Sequence, residues 1–244
     1  MKYIVSISGG KDSTALLLWA IAKYGKRNLI IIFADTGAEF EETYEYLEYL
    51  ELKQGIKIFH IKNEKWDWFS YSRHRQMLPD SQNRFCTSKC KTDPTSKWIT
   101  ANCTRKEDIF LTGERWEESG LRAGYSHQYF NKDHRIKGLR PILHWTVADV
   151  LRCIREAGLE LHPIYKHFYR LGCYCCIFNS QSEWVQLYRY YPHLFEKAAK
   201  FEEELGYTFK QGETLRQLIN RCYNPNQGCE FDEEGSLYHM AMSM

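Results

Sequence analysis

At 244 residues the chain is long enough to bury a full core, as one large α/β domain or as one domain with a C-terminal extension, without disulfide staples. With 43% hydrophobic and 26% charged residues, 15 Gly and 6 Pro, it is neither disordered, collagenous nor of low complexity. The 33 basic and 31 acidic side chains leave a formal charge of +2, so no global field favours nucleic acid or an anionic membrane, and partners have to be argued from local sites.

Residues 2–7 form a β-branched run that stops at Ser8-Gly9-Gly10, and residues 14–24 read as an apolar, mostly buried helix. A second buried strand over residues 29–34 closes on Asp35-Thr36-Gly37, and residues 41–52 place acids, Tyr and Leu at helical spacing. A third strand is predicted over residues 57–61. Repeated βαβ units argue for a parallel sheet with right-handed crossovers, and for ligands at the carboxyl ends of its strands. Over residues 66–97 the periodicity fades, and Arg73, Arg75, Arg84, Lys89, Lys91 and Lys97 stand against Asp67, Asp80 and Asp93, as in an anion-facing flap. A strand over residues 108–111 runs into Thr112-Gly113-Glu114-Arg115, and a helix capped by Thr146 extends to about Glu156. The expected sheet has about five strands.

Beyond Gly158 the character changes to the turn Gly172-Cys173-Tyr174-Cys175-Cys176 and helical patterns over residues 183–218. We therefore expect a nucleotide-binding α/β domain over residues 1–158 and a helical, Cys-containing extension over residues 159–244 packed on it. The first residues lack the apolar region and cleavage site of a signal peptide, and no apolar run reaches the roughly 20 residues needed to cross a bilayer. A soluble protein in the reducing cytoplasm, with no membrane partner, is expected.

The sharpest local signal is Ser8-Gly9-Gly10-Lys11-Asp12-Ser13-Thr14 between a strand and a helix. Two glycines permit close backbone approach, the helix N-terminus attracts an anion, and Lys11 adds a point charge. The second glycine directly precedes the lysine, without the four-residue spacer of kinase and GTPase loops. The segment resembles the pyrophosphate loop (PP-loop) of the adenine nucleotide alpha-hydrolase-like superfamily, and the chain is similar to its phosphoadenosine phosphosulfate (PAPS) reductase branch. Further matches are Asp35-Thr36-Gly37 with Glu39, residues 86–94, Thr112-Gly113-Glu114-Arg115 with Arg122, and residues 163–176.

The resemblance implies a Rossmann-like parallel sheet and a site for an adenylyl nucleotide: ATP with Mg²⁺, PAPS, or adenosine 5'-phosphosulfate (APS). It places Asp35 beside the nucleotide or its metal, with Thr36, Gly37 and Gly113 nearby. Arg115 and Arg122 resemble the family's oxyanion-contacting arginines, since Arg grips phosphate or sulfate bidentately. Lys89 and Lys91 are expected at a terminal phosphate. Lys11, Asp35 and Cys229 are the expected catalytic residues.

The implied reaction is reductive release of sulfite, with thioredoxin or glutaredoxin as partner. The alternatives are an ATP pyrophosphatase and sulfurtransferase that thiolates tRNA or DNA, and a nucleotide-binding regulatory protein without catalysis. A homodimer is left open. The reductases carry a C-terminal Glu-Cys-Gly-x-His segment, whereas this chain has Gly228-Cys229-Glu230 with no adjacent His. The acids at 230 and 232–234 work against a Cys229 thiolate.

Cys86 and Cys90 flank three residues and Cys173 and Cys176 flank two, a layout open to a [4Fe–4S] cluster, to structural Zn²⁺, or to plain thiols. Cys103 and Cys153 read as small core residues. His60, His144 and His162 have no selective spacing. Trp66, Trp68, Phe69 and Tyr71 adjoin the basic stretch; stacking on single-stranded nucleic acid is one reading, and packing inside the fold is favoured.

Overall fold

The structure, a computed structural model, describes residues 1–223. In chain order its strands are β1 (Tyr3–Ile7), β2 (Leu29–Asp35), β3 (Ile58–Lys62), β4 (Ile109–Leu111), β5 (Gln128–Asn131) and β6 (Ile136–Leu139). Its helices are α1 (Lys11–Tyr24), α2 (Glu41–Gln54), α3 (Trp68–Arg75), α4 (Phe85–Thr87), α5 (Asp93–Asn102), α6 (Gly120–Ala123), α7 (Val147–Glu156), α8 (Gln181–Tyr190), α9 (Pro192–Leu205) and α10 (Leu215–Cys222). They fall into two compact units. The first comprises residues 1–35, 41–63 and 91–163, and the second residues 36–40, 64–90 and the chain from Ile164 onward. Two earlier segments, residues 36–40 and 64–90, join the second unit.

The first unit is built on a sheet of order β3-β2-β1-β4-β6-β5. All pairings are parallel except β5 with β6, which is antiparallel. The two faces of the sheet explain the unbroken apolar runs. Val5, Ile7, Ile31 and Phe33 pack with Leu16, Leu17, Leu47, Val150 and Ile154, whereas the alternate residues Ile4 and Ile32 pack with Ile61, Ile99, Phe110 and Ile136. A strand covered on both faces has no solvent side on which to place polar residues. The helices are signed for their dipoles, with Glu41 and Glu42 opening α2 and Lys53 closing it. Thr146 caps α7 as expected, in a reciprocal box with Asp149.

The expected sheet of about five strands is observed as one of six; residues 128–139 form an edge hairpin whose Gln128, Asn131, Lys137 and Gly138 hide the usual apolar alternation. Two expectations on secondary structure are corrected. Helix α1 starts at Lys11, so the glycine turn itself opens the helix. Residues 66–97, expected to be aperiodic, contain α3, α4 and the start of α5, with a π-turn over Ser88–Thr92.

The second unit gathers α3, α4, α8, α9 and α10 around aromatic side chains. Trp68 stacks near Phe209 and Phe201, and Trp184 meets Phe209 at 5.0 Å between ring centres. Trp68, Phe69 and Tyr71 are buried, the packed alternative of the two considered for this cluster. Glu202 is buried too; it accepts hydrogen bonds from the Phe209 and Leu215 backbone N–H groups, while burial raises its pKa. Among the described residues no helix is long and apolar enough to cross a membrane.

His162, in the first unit, is 1% exposed, lies 3.2 Å from Thr43 Oγ1 and packs against the Tyr46 ring. Burial lowers its pKa to about 3. The unfolded chain takes up this proton as pH falls below about 6.5, while the native ring stays neutral. Stability is therefore complete above that value and declines as pH falls toward 3. Urea titrations should show about 2 kcal/mol lost between pH 6.5 and 5. His162→Gln should flatten that slope, and an unchanged slope would exclude His162 as its source.

Candidate nucleotide site and cysteine cluster

The candidate nucleotide site lies at the carboxyl end of the parallel strands in the first unit. Gly9 adopts φ +80°, a conformation costly for a residue with a Cβ, and lets the chain turn from β1 into α1. The turn is held from within. The Ser8 N–H donates to Ser13 Oγ (3.1 Å), the Ser13 hydroxyl donates to the Gly10 carbonyl (2.9 Å), and the Thr14 N–H reaches the same carbonyl (2.9 Å). Gly10 caps α1 with no side-chain cap hydrogen bond, at the helix N-terminus where backbone amides and the helix dipole attract an anion.

Lys11 Nζ lies 2.7 Å from Asp12 Oδ2. The other oxygen of Asp12 accepts from Arg115 Nε at 2.5 Å. Arg115 is 2% exposed and also binds Glu117 Oε2 (2.7 Å) and the Trp145 carbonyl (3.0 Å). Burial acts against its charge, but Asp12 and then Glu117 outweigh it and the net pKa shift is upward. Arg115 therefore ties the segment after β4 to the first turn of α1. Sequence reasoning placed it on the ligand and missed this clamp, because a spacing pattern does not show that residues 12 and 115 meet.

Gly113 completes the junction. A Cβ there would lie 3.0 Å from the Asp12 carbonyl oxygen and 3.2 Å from its carbon. Gly113→Ala must move main chain rather than a flexible tip, so we expect about 1 kcal/mol lower stability and a several-fold weaker nucleotide affinity. Chemical denaturation and calorimetric titration check both; an alanine as stable and tight as the parent would remove Gly113 from the site.

Asp35 ends β2 and accepts a hydrogen bond from the Tyr44 hydroxyl at 2.9 Å. Thr36 and Gly37, expected alongside it, belong to the second unit. Arg122, half-exposed, pairs with Glu118 on an adjacent turn, a surface pair weak enough to yield to an anion. Lys89 belongs to the second unit and Lys91 to the first.

Arg140, absent from the predicted set, pairs with Glu114 and lies 4.2 Å and 3.7 Å from the Tyr125 and Tyr129 rings. Tyr129 occupies the space left by Gly138, where a Cβ would approach its ring to 2.4 Å. A Gly facing an aromatic residue across an edge hairpin was the available signal.

All four candidate metal ligands, Cys86, Cys90, Cys173 and Cys176, belong to the second unit. Cys90 is 1% exposed, and the other three are half-buried. Among the described residues no three or more His, Cys, Asp or Glu side chains are arranged to hold a metal ion. Cys103 and Cys153 are half-buried in the first unit; burial pushes the Cys103 thiol up to about 11 and raises that of Cys153. Cys229 lies outside the described residues.

A doubly covered, mainly parallel sheet whose first strand ends in a glycine turn at a helix N-terminus defines an α/β protein of the PP-loop class. Residues 2–179 match the phosphoadenosine phosphosulfate reductase domain, and the chain belongs to that family. It is 32% identical over 200 residues to an uncharacterized protein of Methanocaldococcus jannaschii, covering 80% of this chain and 40% of that one. It is also 28% identical over 165 residues to an adenosine 5'-phosphosulfate reductase of Bacillus pumilus, covering 66% of this chain and 67% of the relative. The crystal structure of a phosphoadenylyl-sulfate reductase from Candida auris, a phosphate complex, shares the fold with a TM-score of 0.56 at 18% identity, over 71% of this chain and 81% of that one. The Candida glabrata FMN adenylyltransferase, in complex with FAD and inorganic pyrophosphate, shares it with a TM-score of 0.52 at 15% identity, over 70% and 55%.

Proposed function

We propose that the protein binds the phosphate end of an adenylyl sulfonucleotide, APS or PAPS, at the turn Ser8 to Thr14 and releases its sulfur as sulfite. The observation that carries this reading is the Gly9 turn at the start of α1, where the positive end of the helix dipole and the Lys11 ammonium suit a phosphoryl oxyanion. Membership of the reductase family and likeness to proteins named adenosine 5'-phosphosulfate reductase support the sulfur chemistry.

In balanced form, a cysteine thiolate attacks the sulfonate sulfur. The sulfur–oxygen bond to phosphate breaks, the nucleoside phosphate leaves, and an S-sulfonated cysteine remains. A dithiol reductant of the thioredoxin class then forms a disulfide and liberates sulfite. Cys229 is the proposed attacking thiol. Lys11 and Arg122 would neutralise the leaving phosphate, while Arg115 keeps Asp12 turned from it.

Purified protein supplied with labelled APS or PAPS and thioredoxin should release sulfite, and Cys229→Ser should stop it. Absence of sulfite, together with AMP and pyrophosphate formed from ATP and Mg²⁺, would overturn the reading in favour of ATP α-phosphate cleavage.

A further inference from the structure

Two imidazoles meet at the carboxyl edge of the sheet in the first unit. β6 runs parallel to β4 and β4 to β1, so β6 ends at the same edge as the Gly9 turn, and the antiparallel β5 begins there. His127 directly precedes β5, and His144 closes the turn over residues 141–144 that follows β6. Both side chains are exposed, and their ring centroids lie 5.1 Å apart with 62° between the planes.

The main chain holds the pair in place. The β5–β6 register sets Gln128 opposite Leu139, and the Arg140 N–H continues the ladder by donating to the His127 carbonyl at 2.8 Å. The chain then turns at once, because the Leu143 N–H donates to the Arg140 carbonyl (3.2 Å) and the Trp145 N–H to the Ile142 carbonyl (3.0 Å). The Leu143 carbonyl accepts in turn from the Trp116 N–H at 2.9 Å. Residues 127 and 144 therefore stand on one hydrogen-bonded corner. The adjoining Arg140 guanidinium is committed to Glu114 and to the Ser126 carbonyl, so its charge is balanced by a carboxylate.

The separation of the rings is the one that a shared metal ion requires. With Zn–N at about 2.0–2.1 Å, each ring centre lies about 3.2 Å from the ion, and two rings at the tetrahedral angle lie about 5.2 Å apart. The observed 5.1 Å matches that value. In the edge-to-face contact the two rings are not yet aimed at one point, but χ2 of an exposed histidine is a soft torsion, and rotation about it turns a nitrogen of each toward a common ion. Among the described residues no three or more His, Cys, Asp or Glu side chains form a metal-binding group, so a tetrahedral ion held here by two imidazoles keeps two positions for water or an oxyanion.

We propose that His127 and His144 chelate Zn²⁺, a borderline cation suited to imidazole, through one nitrogen each. In the sheet order β6 is two strands from β1, so the ion would offer a second oxyanion site roughly 10 Å from the Gly9 turn along the same edge. The assignment does not rest on the proposed reductase activity, since the metal is tested alone.

The test is an anaerobic titration of full-length protein, ¹⁵N-labelled at its nine histidines, with Zn²⁺ and then with paramagnetic Ni²⁺. Reading the imidazole resonances separates this site from the nine cysteines, which compete for the same ions. His127 and His144, assigned by their loss in single variants, should shift together with one micromolar Zn²⁺ affinity and be the first to broaden with Ni²⁺. His127→Gln should weaken the response of His144 at least ~10-fold, and His144→Gln that of His127, because each loses its chelate partner. His193→Gln, an exposed histidine of the second unit, should change neither. Both variants replace exposed side chains, and thermal melts matching the parent show that the fold is intact. Single variants that leave the remaining histidine with its full affinity overturn the proposal, since the two rings would then bind independently. Zinc taken up while both resonances stay in place overturns it as well.

Discussion

Gly9→Val is expected to reduce sulfite release at least ~100-fold, about 2.7 kcal/mol of lost phosphate contacts. At φ +80° the new β-branched side chain costs the turn roughly 1–2 kcal/mol, so the loop moves to relieve it and the α1 amides lose their common focus. The fold should survive, because the sheet buries its apolar residues independently of this turn. The measurement pairs a thermal melt with nucleotide titration. Parent protein should gain stability with APS or PAPS as mass action requires, and the variant should melt cooperatively but show no ligand shift. A normal ligand shift in Gly9→Val would move the phosphate site away from the first strand. Lys11→Ala should be milder, about tenfold, since it removes one point charge and leaves the backbone cradle.

Arg115→Ala should lower stability by about 3 kcal/mol and the melting temperature by roughly 6–12 °C. The guanidinium is 2% exposed and serves Asp12, Glu117 and the Trp145 carbonyl, so its removal leaves two carboxylates without their shared cation. Asp12 and Glu117 are 18% and 32% exposed and regain some water, which holds the loss at the lower end of what a fully buried pair would suffer. Nucleotide affinity should fall as well, because Asp12 then has only Lys11 to pair with and places its charge beside the incoming phosphate. Arg115→Lys restores the charge without the planar fork, so it should recover part of the stability and less of the affinity. Unchanged melting with lost binding would show that Arg115 grips the ligand and is no clamp.

Much of the α/β frame was legible in sequence because the central strands are covered on both faces. Residues 3–7 and 29–35 are nearly continuous apolar runs, and few other structures accommodate them between glycine-rich turns. The β5–β6 hairpin was not legible, since an edge pair has one solvent-facing row and breaks its own pattern with Lys137 and Gly138. In the same way α3 carries its buried Trp68, Phe69, Tyr71 and Ser72 among basic residues, and its register depends on an aromatic core assembled from residues more than a hundred positions later.

By itself the amino-acid order determined the glycine turn and its chemistry, because backbone freedom at Gly9 and the amides of the next helix are local properties of adjacent residues. It also determined the sheet type, through the length and apolar continuity of its central strands. Only the tertiary structure decided that Arg115 spends its donors on Asp12 and Glu117, that Arg140 stacks between Tyr125 and Tyr129, and that Cys173 faces Glu39. These contacts close over residues far apart or fold back across a turn. The energy of a buried charge depends on partners that no local pattern specifies.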